Sequence, residues 1–216
     1  EMQRSLVGSE MCIRDRYTDK KIEKEKREVL NTLIAQINQK AGLHIQIIYD
    51  EPRCFNSMMA HYGKFDGVNN YIALVREKSK PDEALGYYGE QIVLKAQELG
   101  LNTCWVAMTH GKSKAQIDKG EKLVCLISLG YGKTAGAAHK SKKLSEVCNY
   151  KKDMPEWFLS GMEATLLAPT AMNRQKFYFE LLPDNSIKIT CGKGLYTKLD
   201  LGIVKYHFEV VSGKRI

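Results

Sequence analysis

Apolar residues recur every three to four positions between residues 22 and 40, which is the spacing of one face of an α-helix. The stripe consists of Val29, Leu30, Leu33, Ile34 and Ile37. Gly42 follows it and is suited to end a helix, because glycine readily adopts the left-handed conformation found there. Helices are also predicted, from apolar patterns with proline, acidic or glycine residues at their ends, over 82–99, 155–168 and 197–211, the last beginning with a capping box at 197–200. A short helix is predicted over 113–119.

Strands are predicted where apolar residues alternate with polar ones or form short unbroken runs. These segments are 43–47, 71–75, 103–107, 123–129, 177–182 and 187–191, the last two forming a hairpin around 183–186. The order helix–strand–strand–helix therefore occurs twice, so we expect an α+β fold in which helices flank a mixed central β-sheet. Because no linker rich in Gly, Ser or Pro divides the chain, residues 17–216 are predicted to form one domain of two interlocked halves, about 17–110 and 150–216.

The 216-residue chain is basic, with 33 Lys and Arg against 25 Asp and Glu, and a net charge of +8. Its lysines are spread out and accompany no helix-turn-helix, zinc-finger or aromatic RNA-binding signature, so no nucleic-acid partner is expected. No apolar run reaches the roughly 20 residues that span a membrane. The six cysteines form no C-x-x-C pair, and the five histidines are dispersed, so no metal site is expected. The composition predicts a cytoplasmic protein.

The segment 168–175, with the sequence APTAMNRQ, carries the most informative polar side chains. Pro169 should end the preceding helix, because its ring disfavours helical backbone at the residue before it. Thr170, Asn173 and Gln175 then offer a hydroxyl and two amides on a short turn. Such groups suit the edge of a flat heteroaromatic ligand, whose donors and acceptors alternate. A polar loop between helix and strand is the alternative interpretation.

This segment resembles the A-P-S-x-x-N-x-Q-P-W element of the nitroreductase family. The sequences LGLNTCW at 99–105, LISLGYG at 126–132 and HKSKKLSE at 139–146 resemble further elements of that family. The APS-like element lies near the C-terminus here, as in a Thermotoga-type branch of the family in which one subunit resembles a whole ordinary dimer. The resemblance therefore implies a nitroreductase-like fold that is pseudo-duplicated within one chain, acting as a monomer or a homodimer.

Members of the family are FMN-dependent NAD(P)H oxidoreductases, and the resemblance implies FMN as cofactor, NAD(P)H as electron donor and a nitroaromatic, quinone or similar small molecule as acceptor. The flavin would carry the chemistry in a ping-pong mechanism, without a dedicated catalytic acid or base. The implied cofactor-binding residues are Thr170, Ala171, Asn173 and Gln175 at the flavin edge or ribityl chain, the backbone of Leu101, Asn102 and Thr103 near the ring, and Lys140, Lys142, Arg14 and Arg16 at the phosphate. A flavin-family fold without redox activity, binding another small molecule or acting structurally, is the alternative. One flavin site per chain is expected.

The chain departs from the family pattern at two places. Family members usually begin with an R-R-S-x-R-x-Y stretch whose arginines hold the FMN phosphate, and only its end is matched here, at Tyr17. Residues 1–16 resemble a translated sequencing-adapter read-through, so we expect them to be foreign to the domain or, alternatively, a disordered N-terminal arm. Lys176 and Phe177 replace the usual Pro-Trp, although Phe177 keeps an aromatic ring.

Overall fold

The computed structural model describes residues 16–133 and 140–216. The elements are α1 Lys24–Ala41, β1 His44–Ile48, α2 Met58–Tyr62, β2 Asn70–Glu77, α3 Glu83–Glu98, β3 Asn102–Val106, β4 Glu121–Gly130, α4 Leu144–Val147, α5 Glu156–Leu167, a 3₁₀ turn Ala171–Asn173, β5 Phe177–Leu181, β6 Ile187–Cys191 and α6 Thr197–Ser212. The predicted strands and the four long helices are confirmed, with ends within two residues of those expected. The α+β class is likewise confirmed.

The strands form two sheets, a four-stranded one in the order β1-β2-β4-β3 and a two-stranded one from β5 and β6. All pairs of these strands are antiparallel. Parallel pairing among the described residues is confined to single bridges, Arg16 with Asp66 and Cys148 with Phe179. The sheets therefore differ from the single mixed sheet expected, since the apolar pattern of a strand does not specify its partner or direction.

The chain divides into two compact units, whose described residues are 82–91 with 140–216 and 16–81 with 92–133. The second unit contains the four-stranded sheet, in which β2 is buried along its length except at Glu77. Its core is rich in aromatic rings, including Phe55, Phe65 and Tyr71. The predicted interlocking of two similar halves stays a prediction.

The unit formed by 82–91 and 140–216 is built on close helix packing. A Cβ added at Gly202 of α6 would lie 1.9 Å from the Glu83 carbonyl oxygen, and one added at Gly86 would lie 1.9 Å from the Leu199 carbonyl oxygen. The two backbones therefore approach so closely that only glycine fits at these crossing points. On α5, Gly161 leaves room in the same way for the ring of Phe208.

The prediction of a helix over 113–119 is wrong, because side chains of neighbouring strands satisfy the backbone donors there. The Lys114 N–H donates to the Tyr71 hydroxyl at 2.9 Å, and the Gln116 N–H donates to the Gln46 Oε1 at 2.8 Å. Both partners come from strands that are distant in sequence, so local propensity could not reveal them.

Within the described residues, no helix is long and apolar enough to cross a membrane.

Candidate functional site

The APTAMNRQ segment folds into a sharp turn between α5 and β5. Ala168 and Thr170 are extended, and the 3₁₀ turn Ala171–Asn173 follows. Met172, Asn173 and Gln175 then have φ angles of +56°, +51° and +46°. Left-handed backbone costs about 1–2 kcal/mol at each residue other than glycine, so surrounding contacts must hold the turn in place.

Gln175 provides most of these contacts, and its side chain is only 1% exposed. Its Oε1 accepts a hydrogen bond from the Lys142 N–H at 2.8 Å, while its Nε2 donates to the Lys140 carbonyl at 3.0 Å and to the Asn173 Oδ1 at 2.7 Å. The Gln175 N–H donates to the Thr170 hydroxyl at 3.1 Å. Ala171 lies in the same turn. The structure thus brings together the six predicted residues of this unit, which are Lys140, Lys142, Thr170, Ala171, Asn173 and Gln175.

The segment at 140–142 is fastened to the turn by two further hydrogen bonds. The Asn173 Nδ2 donates to the Lys140 carbonyl at 2.9 Å, and the Lys142 Nζ donates to the Gln175 carbonyl at 3.0 Å. The amides of Asn173 and Gln175 therefore shape the turn from within. Their interpretation as ligand contacts stays a prediction.

Asp200, which the sequence pattern placed in a capping box, lies beneath this turn. Its Oδ1 accepts a hydrogen bond from the Ala171 N–H at 3.0 Å, and it is 8% exposed. The capping box is wrong: α6 begins after Tyr196, and the Thr197 hydroxyl donates to the Gly194 carbonyl. Burial raises the pKa of Asp200 from 3.8 to about 7, an effect that the hydrogen bond from Ala171 opposes.

The outer surface of the turn is formed by other side chains. Met172 is 78% exposed, and Arg174 and Lys140 are also exposed. Asn173 is half-buried. A ligand at this turn would consequently meet a polarizable thioether, two cationic groups and the edge of one amide.

The remaining predicted residues that the structure describes belong to the other unit. Leu101 is buried, Thr103 is half-buried in β3, and the exposed Asn102 accepts a hydrogen bond from the Gly132 N–H at 2.8 Å through its Oδ1. Arg16 lines an open cavity of about 490 Å³, and Arg14 lies outside the described residues. The other residues that line this cavity are His61, Lys64, Phe65 and Asp66.

The sequence pattern did not predict one buried polar pair, which His207 and Glu90 form. His207 and Glu90 are both fully buried, and the His207 Nε2 lies 2.8 Å from the Glu90 Oε1. The other ring nitrogen of His207 faces the Ala164 carbonyl at 3.2 Å. The pair joins three helices, because Glu90 lies on α3, Ala164 on α5 and His207 on α6. The sequence indicated only that His207 lies on a helix face, because its partner is distant along the chain.

The fold resembles several solved structures. A "putative nitroreductase" of Thermotoga maritima is 21% identical over 98% of this chain and 83% of its own, with a TM-score of 0.71. A "putative nitroreductase in complex with FMN" from Desulfovibrio desulfuricans is 15% identical over 71% of this chain and 98% of its own, with a TM-score of 0.51. A protein of Bacteroides thetaiotaomicron described as a "putative NADH dehydrogenase/NAD(P)H nitroreductase" gives the same identity, coverages and TM-score. At these identities the likeness establishes the fold, which confirms the nitroreductase-like architecture.

The family comparison covers nearly the whole chain. The family model described as "Putative TM nitroreductase" matches residues 9–212, whereas no curated protein matches. The match starts inside the segment 1–16, whose foreign origin stays a prediction. The extent of this match and the shared fold of the Thermotoga protein lead to one conclusion: the chain belongs to the TM nitroreductase family.

Proposed function

We propose that the chain is an FMN-dependent oxidoreductase that uses NAD(P)H to reduce a nitroaromatic, quinone or similar small-molecule acceptor by a ping-pong mechanism. Bound FMN would supply the redox chemistry, by taking up hydride from the donor and releasing electrons to the acceptor. Membership of a nitroreductase family supports the general oxidoreductase role. The Desulfovibrio protein of the same fold is described as a complex with FMN, which supports the choice of cofactor.

The single observation that carries the proposal is the strained turn at the APTAMNRQ segment. Three residues with left-handed backbone, Met172, Asn173 and Gln175, are held there by the amide network and by Asp200. Backbone strain of this kind concentrates at functional sites, where a fixed geometry outweighs its cost. The family element that implies flavin contact falls on this turn, and the half-buried amide of Asn173 would meet a flavin edge there.

Each residue of the turn has a distinct role in the proposed site. Asn173 and the backbone of Thr170 and Ala171 would contact the flavin, while the buried Gln175 would act by keeping them in position. Lys140 would attract the phosphate, since its ammonium is exposed and Lys142 already donates to the Gln175 carbonyl. The contributions predicted for Leu101, Asn102, Thr103, Arg14 and Arg16 stay predictions.

Flavin content tests the proposal directly. The purified full chain should be yellow, or become so with added FMN, and should bleach under anaerobic conditions when NADPH or NADH is added. A nitroaromatic or quinone should then restore the colour. Lys140→Glu should weaken FMN binding about tenfold or more, equivalent to about 1.4 kcal/mol, whereas the matched exposed variant Lys143→Glu should change it far less. A colourless protein that ignores added FMN would refute the proposal.

A second candidate function is supported by the same turn. The side-chain amides of Gln175 and Asn173 are hydrogen-bonded within the protein, which favours a structural or small-molecule-binding role without redox activity. Flavin binding without bleaching by either nicotinamide donor would favour this alternative.

The assembly, a monomer or a homodimer, is part of the proposal and is measured by light scattering. A cytoplasmic location is also part of the proposal, on the ground of the scattered cysteine spacing alone.

A further inference from the structure

One cluster of metal-ligating side chains lies in the unit that holds the four-stranded sheet. His44 is the first residue of β1, Asp118 lies in the segment before β4, and Glu121 is the first residue of β4. Each residue offers one ligand atom, and these atoms all lie within 4.8 Å of one another. The His44 Nδ1 is 2.8 Å from the Glu121 Oε2. Side-chain exposure is 30% for His44 and 13% for Glu121, whereas Asp118 is exposed, so two of the three ligands are partly shielded from water.

The sheet register explains why residues so far apart in sequence meet. His44 is opposite Val75 of β2, and Glu121 is opposite Glu77 of the same strand. Residues 75 and 77 share one face of β2, because side chains alternate along a strand. His44 and Glu121 consequently project from the same face of the sheet.

A tight turn orients the two carboxylates. The Glu121 N–H donates to the Asp118 carbonyl at 3.0 Å, and the Asp118 N–H donates to the Glu121 Oε2 at 2.9 Å. The Gln116 Nε2 donates to the Asp118 Oδ1 at 3.0 Å, which fixes that carboxylate from outside the cluster. Such outer hydrogen bonds are typical of metal sites, where they hold ligands in a defined direction.

We propose that His44, Asp118 and Glu121 bind one divalent first-row transition-metal ion, with Zn²⁺ the preferred ion. An imidazole nitrogen with two carboxylate oxygens is a ligand set for such ions, at bond lengths of about 2.0–2.2 Å. Around an ion the ligand atoms would be roughly 3–3.5 Å apart, so side-chain adjustments on the order of 1 Å suffice. Three protein ligands leave a fourth position for water.

The local charge supports a cation at this place. Glu77 and Glu121 face each other directly across the ladder, an arrangement of like charges that is unfavourable by itself. Lys80 lies 3.8 Å from Glu77 and offsets part of this repulsion. An ion bound by Glu121 would offset more of it. To bind the ion, His44 must offer the lone pair of a ring nitrogen, so a proton held on that nitrogen would pass to the other ring nitrogen or to solvent.

The site is independent of the proposed redox function, because it requires no flavin. The test is titration of the untagged, metal-stripped full chain with Co²⁺, followed by visible absorption, and then displacement of Co²⁺ by Zn²⁺. One Co²⁺ per chain should bind, Zn²⁺ should displace it, and Mg²⁺ in tenfold excess should not. Zn²⁺ should also raise the melting temperature.

Variants identify the ligands. His44→Gln and the near-isosteric Glu121→Gln should each weaken Co²⁺ binding at least tenfold, while the matched variant His110→Gln should leave it unchanged, because His110 lies outside the cluster. Circular dichroism would establish that each variant is folded. Absence of a Co²⁺ spectrum in the wild type, or equal Co²⁺ affinity in His44→Gln and the wild type, would overturn the proposal.

Discussion

Replacing Asp200 with Asn should make the protein more stable above pH 7 and leave its stability nearly unchanged at pH 4. The carboxyl is 8% exposed and has its pKa raised by burial from 3.8 to about 7. The folded protein therefore holds the Asp200 proton more tightly than the unfolded chain does. Consequently the free energy of unfolding falls as the pH rises from about 4 to about 7. At about 1.4 kcal/mol for each pKa unit, this loss amounts to about 4 kcal/mol.

The Asn side chain removes the ionisation and keeps an oxygen that accepts from the Ala171 N–H. Urea unfolding of Asp200→Asn and the wild type at pH 4, 6 and 8 should give a stability difference that grows with pH towards about 4 kcal/mol. Asp153→Asn, at an exposed position, serves as the matched control and should show no such growth. Asp200→Ala leaves the Ala171 N–H without its acceptor and should cost about 1–3 kcal/mol at pH 4. A difference between Asp200→Asn and the wild type that is the same at all three pH values would refute the reasoning.

Three further predictions concern the same unit and are measured as free energies of unfolding in urea. Glu90→Ala should cost about 3–5 kcal/mol because it leaves His207 buried without its carboxylate partner, and a loss below about 1 kcal/mol would contradict a stabilising role for this buried pair. Gly202→Ala should cost about 3 kcal/mol or more, since the new Cβ would lie 1.9 Å from a carbonyl oxygen of α3. The control Gly192→Ala, whose new Cβ meets only contacts of 3.4 Å and longer, should cost less, and equal losses would contradict the packing argument. Met172→Gly should stabilise the protein by about 0.5 kcal/mol, because glycine relieves the cost of a φ of +56° at an exposed residue; a loss above about 1 kcal/mol would contradict it.

The limits of sequence reasoning are clearest at the APTAMNRQ turn. The position of the turn and the importance of Thr170, Asn173 and Gln175 followed from Pro169 and from the family resemblance. The direction of their hydrogen bonds did not follow, because the acceptor of both amides is the Lys140 carbonyl, more than thirty residues away in sequence. Both amides hydrogen-bond to the chain itself, and their interpretation as ligand contacts stays a prediction.

Asp200 and His44 each form a contact that the sequence pattern did not predict. Asp200 matched a local capping pattern, yet the part-buried N–H of Ala171 donates to its carboxylate in the structure. His44 was one of five dispersed histidines until the pairing of β1, β2 and β4 placed it beside Glu121. Neither contact has a signature in the spacing of residues along the chain.

The sequence by itself determined the four long helices, the strands and the family, because apolar periodicity, proline and glycine act over a few residues and the family elements are contiguous. It also indicated where the turn at the APTAMNRQ segment would lie. The tertiary structure alone decided that the strands form two antiparallel sheets, and it decided which buried groups pair, such as His207 with Glu90 and Asp200 with Ala171. The physical reason is that a buried polar group takes whichever partner the packed chain brings within hydrogen-bond distance, and that partner is set by packing between distant segments.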